Sequence, residues 1–600
     1  MTIKFSPQQL QVIEHKEGPI SVIAGAGSGK STVLVHRIKK LIENGVSQSE
    51  IVAITFTRNS ANDLKKKLNS LGILNVNVGT FHSVLSKMLL ENGVDVYKKV
   101  PMFEIRKRFN AVKFNSDLDD ILSFISYQKC YMRGYNDVFV AKESAYVDYE
   151  LSKYYQIYEN LKKEKNAYDF DDYLLEALKI LRVNPNAFKC KYLLVDEHQD
   201  NNMVQNLLMK EMCPSGNIMV VGDYKQAIYS FRGADPRYFM NFHKDYPNTK
   251  VVNLDNNYRS GSEIIDNANN FIRNYYGGYE YYSDSIATSD TKGKTTVEIY
   301  ETAEDEAEDI ANAIQNMLCS GVMPKDIAVL YRLNSMPHQL EMSLIKRNIP
   351  YHIENDNNFF KSKQLVPIIS CLRLLEDNND DEAFLDLLQT RCYPFTYVPK
   401  VATRQIEEYA FQHGISYLEA SVNAPIGDKQ VQTFVGFKNM LSSLKKQYHQ
   451  NDSALFMSEK IIFALKLQAY IEQTWTGEEI ERRKNSVKSF LLFTENATVK
   501  NFLKFVQNGK RTAKKSDENA VQLMTIHKSK GLEWNNVFVM GLQEGKFPSK
   551  KAKLEEEARL FYVAITRPKN KLFISQLGQY NTFCNQYKGL NIDKTKMKNI

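Results

Sequence analysis

Short, unbroken apolar runs alternate along this chain with longer stretches of mixed polarity. Ile20 to Ile23, Ile51 to Thr57, Val76 to Ser83, Tyr192 to Val195 and Ile218 to Asp223 read as buried strands. Such runs lack the in/out alternation of a half-exposed sheet, as expected for strands covered on both faces. Between them lie helical signals. Phe5-Ser6-Pro7-Gln8-Gln9 places Ser6 at an N-cap with Pro7 in the first turn, and Val33 to Ile38 reads as the start of a further helix. Strands alternating with helices predict a parallel α/β sheet with ligands at the carboxyl ends of its strands. Residues 90–165 change character: they are helix-like, aromatic and rich in Lys and Glu, and read as an inserted helical subdomain. Tyr168-Asp169-Phe170-Asp171-Asp172 then returns the chain to the sheet.

Composition narrows the class only slightly. A chain of 600 residues predicts about four domains. Lys plus Arg is 78 against 70 for Asp plus Glu, a net charge of +8, which is compatible with nucleic acid but too weak to argue it. The seven cysteines are scattered with no C-x-x-C pair, so reduced core thiols fit better than disulfides, a zinc site or an iron–sulfur cluster. No apolar run approaches a membrane span, and the first residues carry no leader pattern, so the expected location is the cytoplasm.

The chemistry concentrates at strand ends. Ala24-Gly25-Ala26-Gly27-Ser28-Gly29-Lys30-Ser31 follows the first apolar run and precedes a helix. A strand, a glycine-rich turn and a helix opening at Gly-Lys-Ser form the phosphate-cradling loop of nucleotide hydrolases. Glycines let backbone N–H groups converge on a phosphate, and the helix N-terminus adds positive potential. Lys30 would reach the β- and γ-phosphates, and the Ser31 hydroxyl would hold Mg²⁺. The bland alternative is a Gly/Ser-rich surface turn. Asp196 and Glu197, directly after Tyr192 to Val195, are costly carboxylates unless they hold a metal or do chemistry. Asp196 would hold Mg²⁺ and Glu197 would orient and deprotonate a water; a solvated acidic turn is the alternative. Gln9, upstream of the loop, could read an adenine edge, and Thr55, Thr57, Thr80 and Ser83 suit backbone phosphates of a nucleic acid. Tyr224 to Ala234 interleaves Gln226 with Tyr229, Phe231 and Arg232, a mixture that suits contact with a γ-phosphate on one side and a base on the other.

Taken together and in order, these residues resemble a superfamily 1 DNA helicase of the UvrD/Rep/PcrA type. The likeness rests on Gln9, the loop 24–31, Thr55-Phe56-Thr57, Gly79-Thr80-Phe81-His82-Ser83, Asp169-Phe170-Asp171-Asp172, Asp196-Glu197 with Gln199-Asp200, Gly222 to Ala234, and Asn257-Tyr258-Arg259-Ser260. It continues through Ala328 to Arg332, Ile349 to Tyr351, Leu523 to Trp534, and Glu555 to Arg567. The resemblance implies that Gln9, residues Ala24 to Thr32, Tyr258, Arg259, Glu533 and Arg567 bind ATP, with Tyr258 stacking on adenine and Glu533 at the ribose. It implies Lys30, Glu197, Gln226, Arg259 and Arg567 as the catalytic set, the last as an arginine finger, and Ser31 with Asp196 as magnesium ligands. Thr55, Phe56, Thr80, His82, Tyr229, Phe231 and His527 would contact single-stranded DNA. The chain departs from the family pattern at Phe231 for Trp, Ala227 for Ser, Tyr224-Lys225 for an acidic pair, Thr32 for Arg, Arg58-Asn59-Ser60 for Asn-Lys-Ala and Ala558 for Arg.

The fold this implies is α/β: two RecA-like parallel-sheet motor domains, each with a mainly helical insertion. The expected limits are 1–89 plus 166–255 for the first motor and 90–165 for its insertion. Those for the second motor are 256–353 plus 518–600, and those for its insertion are 354–517. Glu376 to Glu382 reads as a solvated acidic turn, Lys510 to Lys515 as a basic connector, and the tyrosines from Tyr275 to Tyr282 as a packed or disordered loop. The expected function is an ATP-dependent 3′–5′ DNA helicase and translocase acting on single-stranded and 3′-tailed duplex DNA, in repair, replication or plasmid maintenance. Two alternatives stand beside it: a motor subunit of a defence or recombination complex with a partner nuclease, and a DNA-stimulated NTPase sensor with little unwinding.

Overall fold

The computed structural model describes residues 4–110, 118–137, 149–353, 359–449, 452–475, 478–495, 497–512 and 519–587. Two six-stranded sheets, each parallel throughout, organise them. The first contains Ile20–Ala24 (β1), Ile51–Ile54 (β2), Asn77–Gly79 (β3), Tyr192–Val195 (β4), Ile218–Gly222 (β5) and Lys250–Leu254 (β6), in the order β3-β2-β4-β5-β1-β6. β1, β2, β4 and β5 are buried at every position, which is why their sequences are continuous apolar runs.

Capping chemistry sets where strands give way to helices. Ser6 and Gln9 exchange side-chain and backbone hydrogen bonds to open Pro7–Ile13 (α1). Lys30–Glu43 (α2) starts directly after Gly29, whose φ is +81°. Thr57 caps Arg58–Asn69 (α3), so β2 stops at Ile54 and not at Thr57. The run Val76 to Ser83 is likewise shorter as a strand than its pattern predicts. β3 ends at Gly79, and Thr80 with Ser83 forms a capping box that opens Phe81–Glu91 (α4). Hydroxyl residues that pass for strand positions are there winning their hydrogen bonds from helix N–H groups.

Between β3 and β4 the chain leaves the sheet. Met102–Asn110 (α5), Leu118–Cys130 (α6) and Tyr149–Lys165 (α7) enclose their own small core around Phe109, Ile121, Ile125 and Tyr155. The chain returns through Phe170–Val183 (α8), capped by Asp169. At this root two buried lysines meet three carboxylates. Lys129 Nζ lies 2.6 Å from Asp169 and from Asp172 and 2.9 Å from Glu159. Lys162 Nζ lies 2.5 Å from Asp172, 2.8 Å from Glu159 and 3.1 Å from Asp169.

The crossing to the second sheet is two residues long, Tyr258 and Arg259. Asn257 is still held by the first half, its Nδ2 donating to Ala26 O at 2.6 Å. Ser260 already belongs to the second, its Oγ donating to Pro568 O at 2.6 Å. A short parallel pair, Asn256–Asn257 (β7) and Ile286–Ala287 (β8), flanks the crossing. The second sheet contains Lys294–Tyr300 (β9), Ile327–Tyr331 (β10), Tyr351–Ile353 (β11), Val521–Thr525 (β12), Trp534–Leu542 (β13) and Pro568–Leu577 (β14). Its order is β11-β12-β10-β13-β14-β9. A second, larger helical insertion runs from Val366 to Thr512 between β11 and β12, around Phe384, Phe395, Phe434 and Phe437. The fold is therefore α/β, two RecA-like halves with mainly helical insertions.

Three surface segments can be compared with their sequence readings. The acidic turn is pinned: Asp380 caps the helix Asp381–Thr390, and Arg373 pairs with Asp380 and Glu382. The tyrosines are packed, with Tyr275 bonded to Gln586, Tyr279 to Met240 O and Tyr282 to Asp284. The side chains of the basic connector from Lys510 to Lys515 lie outside the described residues. Among the described residues no helix is long and apolar enough to cross a membrane, and the seven cysteines are free thiols.

Candidate active site

The phosphate loop is shaped by its neighbours as much as by its own sequence. Gly27 and Gly29 adopt φ of +70° and +81°, a region that L side chains avoid. A Cβ on Gly27 would also stand 2.7 Å from Arg259 Cβ and 2.8 Å from Asn257 Nδ2. The segment Asn257-Tyr258-Arg259 thus lies directly on the loop, with Tyr258 N donating to Gly27 O at 2.9 Å. Gln9 braces it from below: it is buried, and its Nε2 donates to Ser28 O at 3.2 Å.

The acidic residues follow β4. Glu197 sits at φ +52°, a strained conformation for a residue with a side chain. Its carboxylate pairs with Lys30 at 3.1 Å and accepts from Gln199 Nε2 at 2.5 Å. Asp196 accepts from Glu197 N at 3.0 Å. The two carboxyls separate electrically. Burial pushes the Asp196 carboxyl up, the Glu197 charge adds to this, and it reaches about 6. Burial would raise Glu197 too, but Lys30 and Lys530 bring it down to about 2. Burial alone would lower Lys30, yet Glu197, Asp223 and Asp196 outweigh it and hold the ammonium above its ordinary value. Side by side stand one carboxyl held ionised by two lysines and one raised by burial and by its neighbour's charge. Oxygen donors are what a hard divalent cation takes, and a cation would offset the burial and the neighbouring negative charge that raise Asp196, so Ser31 and Asp196 fit Mg²⁺.

The second half completes the pocket. Arg567, 2% exposed, donates from Nη2 to Gln226 Oε1 at 2.8 Å and from Nε to Val563 O at 2.8 Å. Burial, then the nearby Arg259 charge, lowers its guanidinium to about 9. Gln226 is oriented in turn by Asp223, 2.8 Å from its Nε2. Arg259 pairs with Glu533 at 2.6 Å, and Lys569 pairs with the same carboxylate at 2.8 Å. A cavity of about 510 Å³ opens between the halves, lined by Ala26 to Thr32, Glu197, Gln226, Tyr258, Arg259, Glu533 and Arg567. Residues separated by more than five hundred positions therefore face one space.

An aromatic row lies on the neighbouring surface. Phe56 stacks on Tyr229 with centroids 4.9 Å apart and planes at 20°; Phe231 follows at 6.1 Å from Tyr229, and His527 meets it edge-on at 5.8 Å. Phe231 is exposed. Burial, reinforced by Arg332, Arg232 and Lys530, lowers His527 to about 4, so its imidazole is neutral. Thr80 caps α4, and His82 bonds Phe170 O at 2.9 Å while resting edge-on against the Phe170 ring. Thr55 is buried, and its hydroxyl donates to Thr57 O at 3.0 Å, closing the turn after β2.

Several participants were invisible as pairs in the sequence. Lys530 bonds Asp200, donates to Gln226 O at 2.8 Å and lies 3.8 Å from Glu197, joining the halves. Both residues stand inside recognisable motifs, but nothing local joins positions 330 apart. A second cavity, of about 750 Å³, lies beside Phe231 and is lined by Arg332, Lys550, Lys551 and Lys553. Arg332 is fixed there by the buried Glu557 at 3.0 Å, which also accepts from Ser549 N at 3.0 Å. The lysines follow a strand end without any motif of their own.

Comparison with known proteins agrees with this geometry. Residues 5–247 match the family described as UvrD/REP helicase N-terminal domain, and residues 252–579 match UvrD-like helicase C-terminal domain. The chain is 30% identical to the ATP-dependent DNA helicase PcrA of Staphylococcus aureus, over 95% of this chain and 83% of that protein. It is 29% identical to PcrA of Bacillus subtilis, over 95% of this chain and 82% of that one. PcrA of Leuconostoc citreum is 29% identical, over 100% of this chain and 88% of the relative.

Proposed function

Because the chain belongs to the UvrD/REP helicase family, we propose that its cleft hydrolyses ATP to drive 3′–5′ movement along single-stranded DNA. The chain is an ATP-dependent DNA helicase with DNA-dependent ATPase activity. The finer assignments are ours. The motor halves are 1–89 plus 166–255 and 256–353 plus 518–600, with insertions at 90–165 and 354–517.

The phosphate loop and Lys30 hold the triphosphate, Tyr258 stacks on the adenine, and Glu533 meets the ribose. Glu197, kept ionised, orients and deprotonates the attacking water. Mg²⁺ on Ser31 and Asp196 would supply charge neutralisation at the phosphates. Arg259 and Arg567 bring positive charge to the γ-phosphate from the other side of the cleft. A nucleotide that attracts both halves favours closure, and loss of the γ-phosphate releases it. Phe56, Tyr229 and Phe231 stack on bases while the halves alternately grip the strand. DNA repair, replication or plasmid maintenance in the cytoplasm is the setting this chemistry suits.

The observation that supports this reading is the 2.8 Å bond between Arg567 and Gln226, which brings a guanidinium of one half to a cleft-lining glutamine of the other. The test uses the purified chain with 3′-tailed and 5′-tailed duplexes. Unwinding of the 3′-tailed substrate alone, with ATP hydrolysis stimulated by single-stranded DNA, is the expected result. Unwinding from the 5′ tail overturns the polarity, and unstimulated hydrolysis overturns the coupling. A need for a partner protein shows as stimulated hydrolysis without strand separation.

A further inference from the structure

The second sheet ends on an open edge. β9 pairs with β14, and among the described residues no strand lies on its other side. At seven residues it is longer than the other edge strands of the two large sheets, β3, β6 and β11. It alone of the second sheet's strands has no buried position. Edge strands are normally kept short, because a row of unpaired backbone groups invites a further strand. In a parallel ladder successive residues turn their backbone groups to opposite neighbours. Tyr300 O accepts from Gly578 N, just past β14, at 2.9 Å, so Thr296, Glu298 and Tyr300 serve β14 while Thr295, Val297 and Ile299 serve the outer side. Thr295 N donates to Glu263 Oε1 at 2.8 Å, so the open stretch begins at Val297.

Beside this edge a cavity of about 340 Å³ lies between β9, β14 and the helix Ala303–Cys319. Phe573, half-buried, stacks there on Phe538 with centroids 4.6 Å apart and planes at 13°. Glu298 and Asp309 line the cavity, the Tyr300 hydroxyl bonds Asp309, and no Lys or Arg is among the lining residues. The charge extends along the chain. From Thr295 to Pro324 there are seven Asp or Glu and no Lys or Arg, in a molecule of net charge +8. None of these lining residues borders the nucleotide cleft or the cavity beside Phe231.

Such walls repel phosphates and attract cations. A guanidinium suits them better than an ammonium, because it stacks on an aromatic face while pairing with carboxylates. The two faces of β9 ask for different partners. Thr296, Glu298 and Tyr300 face the cavity, whereas Val297 and Ile299 point to the opposite face, where Ile299 is 53% exposed. A strand added at this edge continues both faces. Neighbouring strands lie about 4.8 Å apart, so a long side chain on the cavity side of the added strand spans β9 and reaches the carboxylates. The matching segment alternates arginine with apolar residues, its backbone supplying the ladder and its side chains the fit.

We infer that the β9 edge and its cavity dock a basic, extended segment of a protein partner, which adds as a seventh strand and sets an arginine against Phe573, Glu298 and Asp309. This surface goes beyond the helicase reading and does not depend on it.

The test is fluorescence anisotropy of the full chain with an eight-residue peptide of alternating arginine and valine at physiological salt. Two comparison peptides are used: the same sequence N-methylated at every residue, which keeps its charge but cannot pair as a strand, and alternating glutamate and valine. The arginine peptide binds, the N-methylated one binds about tenfold more weakly or worse, and the glutamate peptide does not bind. The double variant Glu298→Gln, Asp309→Asn weakens the arginine peptide about tenfold. Its melting temperature and DNA-stimulated ATP turnover stay those of the wild type. Equal binding of the N-methylated peptide overturns strand addition. Undiminished affinity in the double variant overturns the cavity's part, and no binding of the arginine peptide overturns the surface altogether. ATP turnover of the same preparation with and without single-stranded DNA reports on the helicase reading separately.

Discussion

Two regions of this molecule bury charge, and they do it to opposite ends. At the cleft, Lys30, Glu197, Lys530 and Arg567 come from both halves of the chain and border an open cavity. At the root of the first insertion, Lys129 and Lys162 come from neighbouring helices, are 2% and 4% exposed at their side chains, and meet Glu159, Asp169 and Asp172. Both places shift carboxyls strongly. At the root, burial works against Asp169, but Lys129 and Lys162 hold it well below the usual carboxylate range. Perturbed charge alone therefore does not mark a site of chemistry. What marks it is an opening beside the charges and a division of the charges between parts that can move. The root ties the first insertion to its own half of the chain, so its role is to hold.

The sharpest way to break this comparison is to remove the cleft's cation. Lys30→Ala is expected to lower DNA-stimulated ATP turnover by about 10³-fold or more while leaving the melting temperature within about 2 °C. A comparable loss of fold would erase the distinction between the two regions. Arg567→Ala comes next, with about 10³-fold lower turnover and nucleotide affinity, read by fluorescent-nucleotide titration, changed far less. Lys129→Met should do the reverse. It strands buried carboxylates and is expected to cost about 3–5 kcal/mol of stability in denaturant titration, with turnover per folded molecule retained.

The smallest expected effect concerns pH. Burial and the nearby Asp169 charge push the Asp171 carboxyl up to about 6. In the unfolded chain it titrates near its ordinary value of about 3.9. The folded state then binds the extra proton first, so Asp171 favours folding increasingly as pH falls from 7 toward 4. Glu197 runs the other way: its stabilising share is present above its ordinary value and is lost as pH falls toward about 2. Asp171→Asn should therefore flatten the rise in melting temperature between pH 7 and 5. A variant that instead steepens it would show that the root does not separate the two carboxyl roles as described.

How much of the molecule was legible in its sequence depended on distance along the chain. The phosphate loop, Asp196-Glu197 and the strands β1, β4 and β5 are local patterns, and each stands where its pattern predicts; β2 starts where predicted and stops three residues short. Thr80 and Thr57 misled as strand residues because a hydroxyl's preference for a helix N–H depends on whether the next residues wind into a helix. The Lys530–Asp200 pair, the Glu557 brace on Arg332 and the paired lysines of the root each join positions whose partners are set only by the finished topology.

The two-residue crossing between the halves has one more consequence. Asn257 is fastened to the phosphate loop and Ser260 to the strand β14 of the opposite half, so any displacement of that loop is handed to the other sheet with almost no slack in between.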